Sequence, residues 1–497
     1  MGPATTALQF CSMPIQRRRV GAVLAPTVFV LLLTLPMEGL SPQAHRLAAV
    51  LGAVVILWVT EALPLAVTAL FGAALCVVLG VAPAREVFAP FADPLMFLFI
   101  GAFILARAIF LHGLDRRVAY AVLSLPWVGA RPSRILFAFG LVTASISAWI
   151  SNTATTAMMF GIALSILAAL QASGTAVRID ARYATGLMLM TSFAASVGGL
   201  ATPVGTPPNV IGLGFIRSQL GLEIAFFDWM LIGVPIVVLL YCFLYFYLNA
   251  VSPAGARELP ASAELIRRER ERLGGWTPAQ RSVGVAFGMT VALWIVPGVV
   301  ALVAGEQSVV YQELIRRMPE GVAALLGALL LFILPGDGGP AISWKEAVQI
   351  DWGVVLLYGG GFALGVLSFQ TGLAEAVGRG LTSLLPIEGS FGMLLAAVLV
   401  AVVLSETTSN TAAANMVVPV VISIARAAGV DPLEPALGAT MAASLGFMLP
   451  VSTPCNAIVY GSGYIPLGKM IKHGLVLDLV GIVVIIILVR ILVPLVR

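Results

Sequence analysis

Two polar triplets, Ser151-Asn152-Thr153 and Ser409-Asn410-Thr411, stand in the middle of long apolar stretches. An uncompensated polar group is costly in hydrocarbon, so something must use these side chains. An Asn amide and two hydroxyls offer oxygens to a hard monovalent cation, and N–H and O–H donors to an anion. Each triplet is followed by a proline-dense break: Ala201 to Asn209 contains Thr206-Pro207-Pro208-Asn209, and Leu449 to Asn456 contains Thr453-Pro454-Cys455-Asn456. Such breaks free backbone carbonyls, and the half-helices beginning after them aim partial positive charge, roughly +0.5 each, into the same place. No Arg or Lys lies within either triplet or either Thr-Pro segment. Charge on a bound anion would therefore be met by dipoles, hydroxyls and co-bound cations. One such triplet reads as helix capping or small-residue packing. Two in matching places, each with its own break, read as halves of one site.

The elements that must position these residues are membrane helices. Of 497 residues, 60% are hydrophobic and 10% charged, against about 25% charged in a soluble domain. Mean hydropathy is +1.02. Apolar runs recur from Val20 onward, so the expectation is an all-α polytopic membrane protein without a sizeable soluble domain. Arg17-Arg18-Arg19 precedes an apolar run to Leu35 that is long for a signal core and has no convincing cleavage site, so it reads as a retained first span. The net charge of +4 reflects basic residues between spans and does not suggest nucleic acid. Cys11, Cys76, Cys242 and Cys455 are scattered and imply neither disulfides nor a metal knuckle. His45, His112 and His473 are isolated, which argues against a metal centre or His-based catalysis.

Spans are expected near 20–39, 44–62, 64–82 and 94–112, followed by an amphipathic segment at 114–127. A run at 135–170, about twice the length of a crossing, reads as a re-entrant hairpin with Ser147 to Thr156 at its tip. A broken span at 184–217 and a span at 228–250 complete the first half. A hydrophilic linker at 251–281 follows, expected as a solvated helix with i,i+4 pairing. Beyond it come spans near 282–304, 321–335 and 353–371, an amphipathic segment at 372–385, a hairpin at 391–427, a broken span at 435–460 and a last span at 474–496. The landmarks Gly101, Gly113, Ser151 and Thr206 recur at Gly360, Gly372, Ser409 and Thr453, offsets of 259, 259, 258 and 247 residues. Four landmarks in one order at nearly one offset are an internal repeat. Each half holds five spans, an odd number, so the copies are inverted. The expected domains are residues 1–39, a first repeat at 40–250, the linker at 251–281 and a second repeat at 282–497. Placing the N-terminus and linker in the cytoplasm puts 18 of the 28 Lys and Arg inside, as the positive-inside rule asks.

The paired SNT motifs with their Thr-Pro partners resemble the divalent anion/sodium symporter (DASS) family, carriers of dicarboxylates, citrate and sulfate. The resemblance covers the chain from about Leu40 to Arg497. It implies about eleven transmembrane helices, a homodimer, and a transport domain that moves as an elevator against a scaffold. It implies Na+ as coupling ion and no organic cofactor. The first sodium site would use Ser147, Ser151, Asn152 and a carbonyl near Gly199; its mirror would use Ser405, Thr408, Asn410 and a carbonyl near Ser452. Ser405 stands where relatives often carry Thr, and Ser452 and Cys455 where they often carry Ala and Pro. Substrate carboxylates would contact Asn152, Thr153, Asn410, Thr411, Thr453 and Pro454, with Thr206 and Pro207 as symmetry mates. The short linker lacks the soluble insertion common in sulfate-carrying relatives, which favours a C4-dicarboxylate such as succinate, malate or fumarate. Citrate, 2-oxoglutarate, sulfate and an exchange mode stay open. The expected setting is a bacterial inner membrane with the N-terminus cytoplasmic, lipid around it and a small carboxylate as cargo.

Other residues carry weaker signals. Glu406 beside the second triplet is either a proton relay or a backbone hydrogen-bonding partner. Arg107 and His112 read as interfacial anchors, and Glu61 as a capping or pairing residue. The amphipathic segments could be surface helices or arms linking scaffold to moving domain. An intramembrane enzyme would need convergent His, Asp, Glu or Lys, and the sequence offers isolated charges instead, so the chain does not read as an enzyme. A passive channel would not require hairpins paired with broken helices.

Overall fold

The computed structural model of the chain describes residues 3–172, 180–384 and 389–495. Residues 173–179, the end of the amphipathic segment at 372–385 and the last residue of the closing span lie outside the described residues. Among the described residues the chain is helical, with one antiparallel bridge from Pro335 to Pro340 in place of any strand. Among the described residues nine helices are long and apolar enough to cross a bilayer, and three of them, Asn152–Leu170, Gly389–Thr407 and Asn410–Ala427, are hairpin arms. Leu65–Val78, Pro132–Ser147 and Glu320–Leu330 are shorter apolar helices. The first helix runs over Pro3–Thr34 and stops before the expected 39, because Pro36 disfavours helix at the residue before it and Gly39 turns at φ +85°. Glu61 occupies the left-handed C-cap of Pro42–Thr60, a conformation few side chains adopt.

Contacts divide the chain into two compact units, each drawing on both halves of the sequence. The first comprises residues 1–96, 211–223 and 351–443. Its core joins Leu47, Val50, Val54, Ala69, Ala73 and Leu364 from three helices. Helix Trp352–Gln370 approaches its neighbours through three consecutive glycines. A Cβ at Gly359 would come within 2.5 Å of the Phe91 ring, and one at Gly360 within 2.6 Å of Ala69 Cβ. Glycine is thus a condition of that packing. The same unit holds an ion pair between Arg217 and Asp93, with the buried Tyr358 hydroxyl donating to Asp93 at 3.2 Å. A charge so placed is tolerable because it is paired and hydrogen-bonded.

The second unit comprises residues 97–210, 224–350 and 444–497. The tip of the first hairpin is held here by aromatic stacking. Trp149 lies parallel to Phe226 and Trp294 at ring distances of 6.2 and 6.5 Å, and Phe226 stacks on Trp294 at 4.6 Å. Arg107 and His112 bond to Gln349 Oε1 and the Ala341 carbonyl, so both are tethers within the protein.

A linker helix, Pro260–Arg272, carries ion pairs between Arg267 and Glu264 and Glu271, between Arg268 and Glu264, and between Arg272 and Glu269. It is fastened to the amphipathic helix Leu114–Leu123 by Arg117. That guanidinium donates to the carbonyls of Leu273, Gly274 and Gly275 at 2.8–3.1 Å and lies 5.1 Å over the Trp276 ring. It thereby satisfies carbonyls that the helix end leaves open. Burial beside this joint pushes the Asp115 carboxyl up to about 6, against the pull of the Arg116 N–H and charge.

An unfolded aspartate titrates near ~4, so the native state binds the extra proton and gains stability on acidification from about pH 6 to 4; above pH 6 it carries the full burial penalty. Asp115→Asn should therefore raise the melting temperature in detergent at pH 8 by about 2 °C. The difference from the parent should shrink to nothing by about pH 3, below both values. Thermal melting across pH checks both sign and window.

Candidate functional site

At the first hairpin the arms Pro132–Ser147 and Asn152–Ala172 meet at a turn of four residues. Ser147, fully buried on the last helical turn, accepts at Oγ from Asn152 Nδ2 at 2.7 Å. The same Nδ2 donates to the Ala195 carbonyl at 3.1 Å and the Gly205 carbonyl at 3.2 Å, on either side of the first break. One amide thus ties the hairpin tip to both sides of the broken helix. Gly199 makes the approach possible: a Cβ there would collide with the Asn152 amide. Ser151 is exposed on the turn, whereas Asn152 and Thr153 are half-buried at the head of the returning arm.

The breaks are closed by asparagines. Asn209 Nδ2 donates to the Gly199 carbonyl at 2.9 Å and the Thr202 carbonyl at 2.8 Å. Asn456 Nδ2 donates to the Gly446 carbonyl at 2.9 Å and the Leu449 carbonyl at 3.0 Å. Both side chains reach back ten and seven residues, so the two copies share one closure. They differ in the remaining atom: Asn456 Oδ1 accepts from Ser192 Oγ at 2.6 Å, whereas the buried Asn209 Oδ1 accepts no hydrogen bond. Thr453 caps the helix Pro454–Tyr460 by accepting from the Asn456 N–H at 3.1 Å. That helix packs on the returning arm of the first hairpin and on Ala181–Gly198. Its Cys455 thiol is buried beside the hydroxyls of Thr153, Thr156 and Ser196. Ser452, Thr453 and Thr206 are buried, Pro207 is half-buried and Pro454 is exposed.

The second hairpin, Gly389–Thr407 and Asn410–Ala427, belongs to the first unit. Ser405 Oγ lies 2.8 Å from Asn410 Oδ1 and 2.7 Å from the Ala443 carbonyl. The Ser–Asn contact, five residues apart at each tip, is therefore present twice. Ser409 caps the returning arm by accepting from the Ala412 N–H at 3.2 Å, so the helix-capping reading of this serine holds. Thr408 turns its hydroxyl back to the Leu404 carbonyl at 2.7 Å. Asn410 and Thr411 are half-buried at the tip, and Glu406 is buried beside Ser405.

The structure thus brings Ser147 to Asn152 and Asn152 to Gly199 in the second unit, and Ser405 to Asn410 in the first. Sequence reasoning missed the Ala195 and Gly205 carbonyls, because a carbonyl carries no side-chain signal. It quoted Asn209 and Asn456 without giving them a task; their shared position four residues into each Thr-Pro segment was the available signal. Asp478, buried in helix Leu467–Leu492, was also passed over inside a long apolar run.

Two re-entrant hairpins and two broken helices closed by the same asparagine device define an inverted-repeat membrane transporter. The family model described as the sodium:sulfate symporter transmembrane region matches residues 16–496. The chain is 34% identical over 486 residues to a protein of Staphylococcus saprophyticus described as sodium-dependent dicarboxylate transporter SdcS, covering 96% of this chain and 91% of that one. A Staphylococcus aureus protein of the same description is 33% identical with the same coverage. The fold resembles the YdaH transporter of Alcanivorax borkumensis, with a TM-score of 0.54 at 13% identity over 82% of this chain and 87% of that one. It also resembles Neisseria gonorrhoeae MtrF, with a TM-score of 0.51 at 13% identity over 82% of each chain. The chain belongs to the divalent anion/sodium symporter family, and it is a transporter, not an enzyme.

Removing an amide that satisfies two buried carbonyls costs about 2–3 kcal/mol, and orphaning a further buried hydroxyl adds about 1. Asn209→Ala and Asn456→Ala should both lower the melting temperature of the detergent-purified protein. The drop should be larger for Asn456→Ala, which also strands Ser192.

Proposed function

We propose that this protein couples sodium to the uptake of a C4-dicarboxylate such as succinate, malate or fumarate. The observation that carries the reading is the Ser–Asn contact repeated at two hairpin tips, with carbonyl oxygens of a broken helix converging on the first of them. The Staphylococcus relatives described as sodium-dependent dicarboxylate transporters support it.

In this reading Ser147, Asn152 and the carbonyls near Gly199 receive one sodium ion, with Ser151 at the edge. Ser405, Thr408, Asn410 and the carbonyl near Ser452 receive another. Asn152, Thr153, Asn410, Thr411, Thr453 and Pro454 face the carboxylates, with Thr206 and Pro207 as mates. Sodium neutralises charge that no Arg or Lys in these segments meets, so anion affinity follows cation occupancy and release follows cation loss. The protein works in this reading as a homodimer in a bacterial inner membrane, N-terminus cytoplasmic, by an elevator movement. Sulfate is the second reading, favoured by the description of the matching family model.

Uptake of radiolabelled succinate into proteoliposomes should require an inward sodium gradient, with potassium giving background only. Asn152→Ala and Asn410→Ala, each purified as a monodisperse protein, should lower it at least about tenfold, the scale of one lost hydrogen bond to a charged group. Folded variants that transport like the parent would refute the site assignment. Competition by sulfate alone would move the substrate while leaving the site in place.

A further inference from the structure

A cavity of about 620 Å³ lies beside the joint between the amphipathic helix and the linker helix. Leu123, Leu125 and Pro126 line one side of it, and Ile266, Arg267 and Arg270 the other. Glu271 also lines it and pairs with Arg267 at 2.7 Å. The linker helix carries four arginines and three glutamates. Those glutamates pair with Arg267, Arg268 and Arg272, so Arg270 is the cation left over. Its Nη1 donates to Ser124 Oγ at 2.8 Å, which keeps the guanidinium against the cavity, and no carboxylate pairs with it among the described residues. The segments that wall the cavity, 114–134 and 251–281, hold ten arginines and five acidic residues, an excess of five in a chain whose whole net charge is +4. An anion is the complementary occupant.

Two tryptophans fix the depth of the cavity. Trp276 is exposed two residues before Pro278–Ala304, a helix long enough to cross a bilayer, and Trp127 is exposed five residues before the apolar helix Pro132–Ser147. Tryptophan favours the level of the lipid headgroups. Trp127 adjoins the lining residue Pro126, and Trp276 follows the lining residue Gly274 by two positions, so the cavity lies at that level. We propose that it binds the headgroup of an anionic phospholipid, with the phosphate on Arg270 and the glycerol and first acyl carbons against Leu125, Pro126 and Ile266. A guanidinium can give a phosphate two parallel N–H groups. The apolar half of the lining has no use for a free phosphate, whereas a lipid fills both halves. The linker helix packs on the returning arm of the first hairpin, and the amphipathic helix on the other arm. A lipid between them therefore fastens the base of that hairpin.

The test follows thermal melting of the purified full chain in one detergent, with added short-chain phosphatidylglycerol, short-chain phosphatidylcholine or inorganic phosphate. Phosphatidylglycerol should raise the melting temperature of the parent, and the other two should not. Arg270→Gln should need about fivefold more phosphatidylglycerol for half the shift, the scale of one arginine at an anionic membrane surface. Arg272→Gln loses the same charge from the same helix outside the cavity, and should titrate like the parent. Leu125→Glu puts a carboxylate into the cavity from an exposed position and should abolish the shift. Equal shifts from the two lipids overturn the proposal, as does a shift from inorganic phosphate as large as that from phosphatidylglycerol. It is overturned equally by Arg272→Gln weakening the response as much as Arg270→Gln, or by Arg270→Gln or Leu125→Glu titrating like the parent.

Discussion

Hydrocarbon does not tolerate an unpaired backbone carbonyl, and the candidate site is organised around that intolerance. A helix broken at membrane depth strands its last carbonyls. Here one amide closes each break, Asn209 on Gly199 and Thr202, Asn456 on Gly446 and Leu449. With those groups satisfied, the carbonyls of Ala195 and Gly205 can turn remaining lone pairs toward Asn152 at the hairpin tip. The hairpin meets them there because Trp149 is clamped on Phe226 and Trp294, and because Gly199 leaves room. Closure, clamp and clearance act on the same few residues.

The first hairpin and break present dipoles and hydroxyls, and the strong charges lie elsewhere. Arg217 is neutralised by Asp93 within its unit, and Arg117 is spent on the carbonyls at the end of the linker helix. An Arg clamp on a dianion in a low-dielectric site would bind too well to release it. In the proposed reading, hydroxyls, amides and carbonyls bind each ion weakly alone and better together, which is what a carrier that must let go requires.

Much of this was legible in the sequence, because apolar length and polar interruption report directly on membrane helices. The hairpins were placed by runs too long for one crossing, and the breaks by Thr-Pro segments that recur in the same order in each half. What stayed hidden was contact between distant segments. Nothing in the pattern around Arg117 says that it reaches Leu273 and Gly275, and an amphipathic helix looks the same whether free or fastened. The Asp93–Arg217 pair joins residues over a hundred positions apart, and single charges at span ends read as anchors. Ala195 and Gly205 offered nothing to read, since their contribution is a backbone oxygen whose direction is fixed by the break.

The copies are alike in closure and unlike in completion. Asn456 Oδ1 receives the Ser192 hydroxyl, and the position equivalent to Ser192 in the second repeat, 247 residues on, is Ala439, which has no donor. Asn209 Oδ1 is buried without a hydrogen bond. An orphaned buried acceptor costs about 1–3 kcal/mol, so the first break is held less firmly than the second though the chain path is the same. The looser break supplies the Gly205 carbonyl to Asn152, and the firmer one carries the Thr453-capped helix that packs against the first hairpin. Both breaks carry the same asparagine closure, and a single hydroxyl completes it on one side only.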